Sequence, residues 1–116
     1  MPEKTTLSLL TLEIDRIGTR AVVRCRGMLV SGVDDVLYVT VKQLIPDYKR
    51  ITLDLTDLVR VDSMGLGALV RLYVSARSAG CDLQLKNLGK QVRHLLGMTN
   101  LLEVFAIVGE HGVKIG

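Results

Sequence analysis

The spacing of hydrophobic positions changes along the chain, and each change marks an element. From Leu7 to Ile14, apolar residues fall on both sides of an extended run: Leu7 and Leu9 with Thr11 on one, Leu10, Leu12 and Ile14 on the other. A strand is predicted there. Gly18 turns the chain. Arg20–Gly27 then alternates Ala21, Val23 and Cys25 against Val22, Arg24 and Arg26, so the two runs predict a hairpin. Between Ser31 and Pro46 the period lengthens, and Val33, Val36, Leu37, Thr40, Val41, Leu44 and Ile45 share one helical stripe. Ser31 and Asp34 have the spacing of a capping pair. Pro46, which has no N–H and disfavours helix at the residue before it, is the expected stop.

Period two returns over Arg50–Thr56, with Ile51, Leu53 and Leu55 opposed to Thr52, Asp54 and Thr56. A second helix is predicted over Ser63–Ala79, its stripe formed by Leu66, Leu69, Val70, Tyr73, Val74 and Arg77, with Gly80 as the terminating glycine. Asp82–Leu88 predicts a short strand, Lys90–Gly97 a short helix closed by Gly97, and Leu101–Gly109 a last strand. The order β-β-α-β-α-β-α-β predicts an α/β fold: a mixed sheet of four to five strands with helices packed on it. At 116 residues the whole chain, 1–116, is expected to be one domain, with residues 1–6 and 110–116 as loose tails.

Composition narrows the function classes. Trp is absent and Phe105 is the only Phe, so the core is expected to be aliphatic and a base-stacking platform is disfavoured. The net charge of +3 comes from 15 cations spread along the chain against 12 carboxylates, with no basic run to follow a phosphate backbone. Direct nucleic-acid binding is therefore not expected. Cys25 and Cys81 belong to no CxxC pair, which argues against a metal site and for small buried thiols in a reducing cytoplasm. The start "MPEKTTLSLL" does not read as a signal peptide, and no apolar run approaches a membrane span. A cytoplasmic protein with no membrane partner is expected.

The chemistry concentrates in "VDSMGLG", Val61–Gly67, between a predicted strand and a predicted helix. Four readings of Ser63 compete. As a helix cap, it would satisfy free N–H groups, worth about 1 kcal/mol. That leaves Gly65 and Gly67 unexplained, since each costs roughly 1 kcal/mol against Ala inside a helix. Such glycines point to a close approach, either by the sheet beneath or by a partner above. As a phosphate loop, the stretch lacks both the third glycine of a dinucleotide fingerprint and the Gly-Lys-Ser/Thr of a nucleoside triphosphatase. As a nucleophile elbow, it has Val61 where the first glycine belongs, and only His94 and His111 are available as a base. As a modification site, an exposed hydroxyl at a helix N-terminus is reachable. The amides there tolerate the –1.5 to –2 charge a phosphate brings. Cap and functional site remain equally open from spacing alone.

The stretch from Ile51 to Ile107, with "VDSMGLG", the helix ending in "SAGC" and the later "V..LL..T.L...F" pattern, resembles the STAS domain, and within it the bacterial anti-sigma factor antagonists. The resemblance implies a partner-switching protein that regulates transcription indirectly and has no catalytic residues and no cofactor or metal of its own. Its unphosphorylated form would bind an anti-sigma factor with serine kinase activity and release a sigma factor. Phosphorylation at Ser63 would block that binding, and a PP2C-type phosphatase would restore it. Carried over, the partner-binding residues are Asp62, Ser63, Met64, Gly65 and Leu66, with Met28, Val30 and Ser31 beside them. The chain departs from the family after Gly27: where a polar or acidic residue is common, it has Met28 and Val30, with acids delayed to Asp34 and Asp35. A monomer or weak homodimer is expected. Two other functions compete: a STAS module in a stress-signalling scaffold or a lipid-transport ATPase complex, and a small serine esterase pairing Ser63 with His94.

Overall fold

The computed structural model describes residues 3–6, 9–98 and 106–108, with side chains described for 9–98. Strands β1 (Glu3–Thr6), β2 (Leu10–Ile17) and β3 (Arg20–Leu29) come first, followed by helix α1 (Asp34–Leu44) and a single 3-10 turn at Ile45–Asp47. Strand β4 (Arg50–Val61), helix α2 (Ser63–Ser78), strand β5 (Asp82–Lys86), helix α3 (Lys90–Met98) and strand β6 (Ala106–Val108) complete the order. The expected β-β-α-β-α-β-α-β order is present, with one more strand ahead of it. Glu3–Thr6, expected as part of a loose tail, pairs antiparallel with Thr11–Ile14. The predicted tail at 110–116, and most of the predicted strand Leu101–Gly109, lie outside the described residues.

The sheet runs β1-β2-β3-β4-β5-β6, antiparallel across the first three strands and parallel from β3 onward. Each parallel step moves one strand in the same direction. Right-handed crossovers therefore place all three helices on one face. That face carries the core: Leu12 and Ile14, Ala21, Val23 and Cys25, Ile51, Leu53 and Leu55, and Leu83 and Leu85 are all buried. The opposite face is polar along the same strands, with Glu13 and Arg24 paired across β2 and β3 at 3.4 Å. Period two in the sequence thus separates a helix-covered apolar face from a more polar one, on which Asp54 and Gln84 are nonetheless buried.

The helices differ from expectation where small residues matter. In α2 the buried residues are Gly65, Ala68, Leu69, Leu72 and Ala76, while Val74 is exposed and Leu66, Val70 and Tyr73 are half-buried. The predicted stripe was rotated because large apolar side chains dominate a periodicity count. The face that meets the sheet uses small ones, which let the helix lie close. Helix α1 begins at Asp34, not Ser31. Val33 is its N-cap with no side-chain cap, and the amides of Val33 and Asp34 bond the Val30 carbonyl instead. Asp34 is buried and reaches Arg71 of α2 at 3.7 Å. Helix α3 runs through Gly97 to Met98. At the end of α2, Gly80 adopts φ 74°, the left-handed conformation a terminating glycine supplies.

Candidate functional site

Ser63 sits where β4 hands over to α2, at the C-terminal edge of the parallel strands, a location that open α/β sheets favour for ligands and partners. It is the first residue of the helix and is exposed. The capping role belongs to Asp62 instead. Its backbone is extended, its Oδ1 accepts from the Gly65 amide at 2.9 Å, and its Oδ2 accepts from the Ser31 amide at 2.8 Å. Among the described residues, no hydrogen bond occupies the Ser63 hydroxyl. The reading of Ser63 as the cap is therefore overturned: a carboxylate one residue earlier already satisfies the amides that a serine cap would bond.

The Asp62 carboxyl is held below its ordinary value of 3.8, first by the Ser31 amide and then by that of Gly65. Partial burial opposes the shift, and Met64 N–H and the Arg60 guanidinium add to it. One ionised side chain thus ties the β3–α1 loop to the first turn of α2. The tie is reinforced by the Asp62 amide donating to the Leu29 carbonyl at 3.3 Å.

The two glycines of "GLG" have separate explanations. A Cβ on Gly65 would overlap the Leu29 carbonyl oxygen and stand 2.9 Å from both the Leu29 carbonyl carbon and its Cγ. The N-terminus of α2 therefore rests directly on the end of β3, and only glycine fits. A Cβ on Gly67 would meet nothing within 4 Å. Packing does not require that glycine.

The site is thus a small platform at one end of the sheet. A family model for the STAS domain matches residues 10–112, nearly the whole chain. The chain belongs to the STAS domain family. Similar solved structures include the anti-sigma factor antagonist SpoIIAA in its unphosphorylated form, at 16% identity and TM-score 0.73, covering 86% of this chain and 90% of that one. A phosphorylated form of SpoIIAA, from Bacillus, matches at TM-score 0.69 with 16% identity, over 86% and 93% of the two chains. An anti-sigma factor antagonist from Mycobacterium paratuberculosis matches at 18% identity and TM-score 0.75, over 84% of each chain. A sulfate transporter family protein from Wolinella succinogenes matches at 21% identity and TM-score 0.68, over 82% of this chain and 75% of that one.

In this STAS domain the eight residues singled out from the sequence come together. Met28 and Val30 are half-buried at the end of β3 and just after it, and Ser31 is exposed and bonded to Asp62. Met64 is 51% exposed, and Leu66 is half-buried against the core. Two neighbours escaped the sequence reading. Val59, 73% exposed, and Arg60, also exposed, lie near the C-terminal end of β4, which runs well past the predicted end at Thr56. Their signal was the "DLVRV" extension, whose alternation is broken by register shifts against β3. His94 is exposed on α3, and no histidine contact reaches Ser63 among the described residues. His111 lies outside them. No cluster of His, Cys, Asp or Glu suited to a metal ion occurs among the described residues. No described helix is long and apolar enough to cross a membrane. Both cysteines are buried, and burial pushes the Cys25 thiol up to about 12.

Proposed function

We propose that this STAS domain is an anti-sigma factor antagonist whose binding is switched at Ser63. Unphosphorylated, it binds an anti-sigma factor with serine kinase activity and frees a sigma factor; a phosphate on Ser63 blocks the contact, and a PP2C-type phosphatase removes it. The domain performs no catalysis itself and acts in the cytoplasm as a monomer or weak dimer. The observation that carries this reading is the division of labour at the start of α2: Asp62 caps the helix and leaves Ser63 exposed, with no hydrogen-bond partner for its hydroxyl among the described residues. A phosphate there meets helix N-terminal amides and need not disturb the cap. Exposed Met64 beside it supplies apolar area that a doubly charged group would spoil for a partner.

The test is binding to the anti-sigma kinase encoded in the same genome, for wild type, Ser63→Ala and Ser63→Asp. Binding is expected for the first two and a loss of at least about tenfold for the third. Equal affinity for all three would sink the switch. A second reading, a STAS module within a scaffold or transporter assembly, is favoured by the similarity to a sulfate transporter family protein. Recovery of transporter or scaffold subunits, with no kinase, in a pull-down would support it.

A further inference from the structure

We infer that Gly67 keeps the Ser63 hydroxyl open to the phosphoryl donor, so that the size of residue 67 sets how fast Ser63 is modified; the inference rests on the function just proposed. Each Cα–Cβ bond of an α-helix leans toward the helix N-terminus, and a side chain lies over the turn that precedes its own Cα. The surface at Ser63, the first residue of α2, therefore falls under the side chains three and four positions on, at Leu66 and Gly67. Leu66 is half-buried and packs against the core. Gly67 has no side chain and leaves the gap.

The fold makes no use of this glycine. A Cβ on Gly67 would meet nothing within 4 Å, whereas one on Gly65 would strike Leu29. Nor does the backbone ask for it: Gly67 is not among the glycines at positive φ. Glycine weakens a helix relative to alanine, and at Gly67 neither packing nor conformation offsets that. What the missing side chain does leave is clear space one turn along from Ser63.

The transfer needs that space. The Ser63 Oγ bonds to the γ-phosphorus of a nucleoside triphosphate held by the kinase, the bond from that phosphorus to the β–γ bridging oxygen breaks, and the nucleoside diphosphate leaves. The hydroxyl proton passes to a base of the kinase. Reacting atoms must first stand about 3–3.5 Å apart with attacking and leaving oxygens in line, so the donor fills the volume directly outside the hydroxyl. Cβ atoms four residues apart on a helix are about 5–6 Å apart. A long side chain at position 67 therefore reaches over the Ser63 hydroxyl and into the donor's path.

The experiment measures phosphorylation of the full chain by the anti-sigma kinase with ATP, separating kcat from KM for the protein substrate. The variants are Gly67→Ala, Gly67→Gln and Val74→Gln, the last placing the same side chain at an exposed position farther along α2. Gly67→Gln should lower kcat about tenfold or more, with Gly67→Ala between it and wild type and Val74→Gln within about twofold. A wild-type kcat for Gly67→Gln, or a loss confined to KM, which would mean obstructed docking, would overturn the inference while leaving the functional reading intact. A wild-type protein that the kinase neither binds nor phosphorylates would overturn both. Thermal melts separate a blocked hydroxyl from a lost fold, since neither Gly67 variant should melt below wild type. If Gly67→Gln does melt early, Gly67→Ala carries the test: a kcat about twofold lower or more supports the inference, and an unchanged kcat overturns it.

Discussion

Replacing Gly65 and Gly67, one at a time, by alanine should move stability in opposite directions. The two residues lie two positions apart, on either side of Leu66 in the first turns of α2, so their helix propensities are nearly matched. Each substitution gains up to about 1 kcal/mol from propensity and from a less flexible unfolded chain. At Gly67 nothing lies within 4 Å of the new methyl, so that gain stands alone. The expected change is a midpoint about 4 °C higher for a domain of this size. At Gly65 the methyl would overlap the Leu29 carbonyl oxygen and crowd its carbonyl carbon and Cγ at 2.9 Å. Most of those atoms are backbone of a fully buried strand residue, which cannot swing aside as a side-chain tip can. Overpacking of this kind costs roughly 1–3 kcal/mol, and backbone obstruction puts it at or beyond the upper end. Subtracting the propensity gain leaves a net loss of about 2 kcal/mol or more. The variants should therefore differ by about 3 kcal/mol, or about 1.5 M in urea midpoint at a slope of about 2 kcal/mol/M. Equilibrium urea unfolding followed by circular dichroism reads this directly. Equal midpoints, or a Gly65→Ala protein as stable as wild type, would refute the close approach of α2 to β3.

Four further outcomes follow from single side chains. Asp62→Ala should cost about 1–2 kcal/mol through the lost cap and the freed Ser31 amide, read by thermal melting at pH 7. Because the folded-state pKa of Asp62 is depressed, its contribution is fully present above its ordinary value of 3.8 and is lost as pH falls through the lower folded value; Asp62→Asn should show a shallower acid limb in that window. Cys25, fully buried with its thiol pushed up to about 12, should resist iodoacetamide at pH 8 until the domain unfolds, and rapid native-state labelling would contradict its burial in β3. Leu69→Asp should destabilise by more than about 3 kcal/mol, because an unpaired carboxylate would sit at a position with no exposure, whereas Leu66→Asp at a half-buried position should cost less; comparable losses would mean the buried face of α2 is misassigned.

The parts of the fold legible in the sequence were those where side-chain size and burial agree. The strand Arg50–Thr56 alternates cleanly, since one of its faces meets helices and the other stays polar. The element order followed from such runs and set the parallel half of the sheet. Legibility failed where geometry depends on small groups or on long-range bonds. The buried face of α2 uses Gly65, Ala68 and Ala76, which add little to a hydrophobic pattern but decide how close the helix lies. Ser31 sits at capping spacing from Asp34, yet its amide is taken by Asp62, 31 residues away. Glu3–Thr6 has no apolar alternation, and its strand exists because an antiparallel neighbour offers backbone partners.

The same distinction governs the site. The cluster of Asp62, Ser63 and Gly65 was readable because all three lie within one turn, but their separate jobs were not. An aspartate and a serine in succession both look like caps, and only the helix start decides between them. With the N-cap at Asp62, a carboxylate bonded to one amide of the β3–α1 loop and one of the first turn of α2 does the structural work, and mutation there is felt by the fold. Ser63 then stands one residue inside the helix, where its hydroxyl carries no hydrogen bond among the described residues and substitution is expected to cost little stability. A switch that must be thrown repeatedly needs this separation. Were Ser63 itself the cap, each phosphorylation would exchange a cap for a bulky anion, and binding and stability would change together. In the switch proposed above, the placement of Asp62 would let them change apart, so Ser63→Ala should leave the melting temperature close to wild type while Asp62→Ala lowers it.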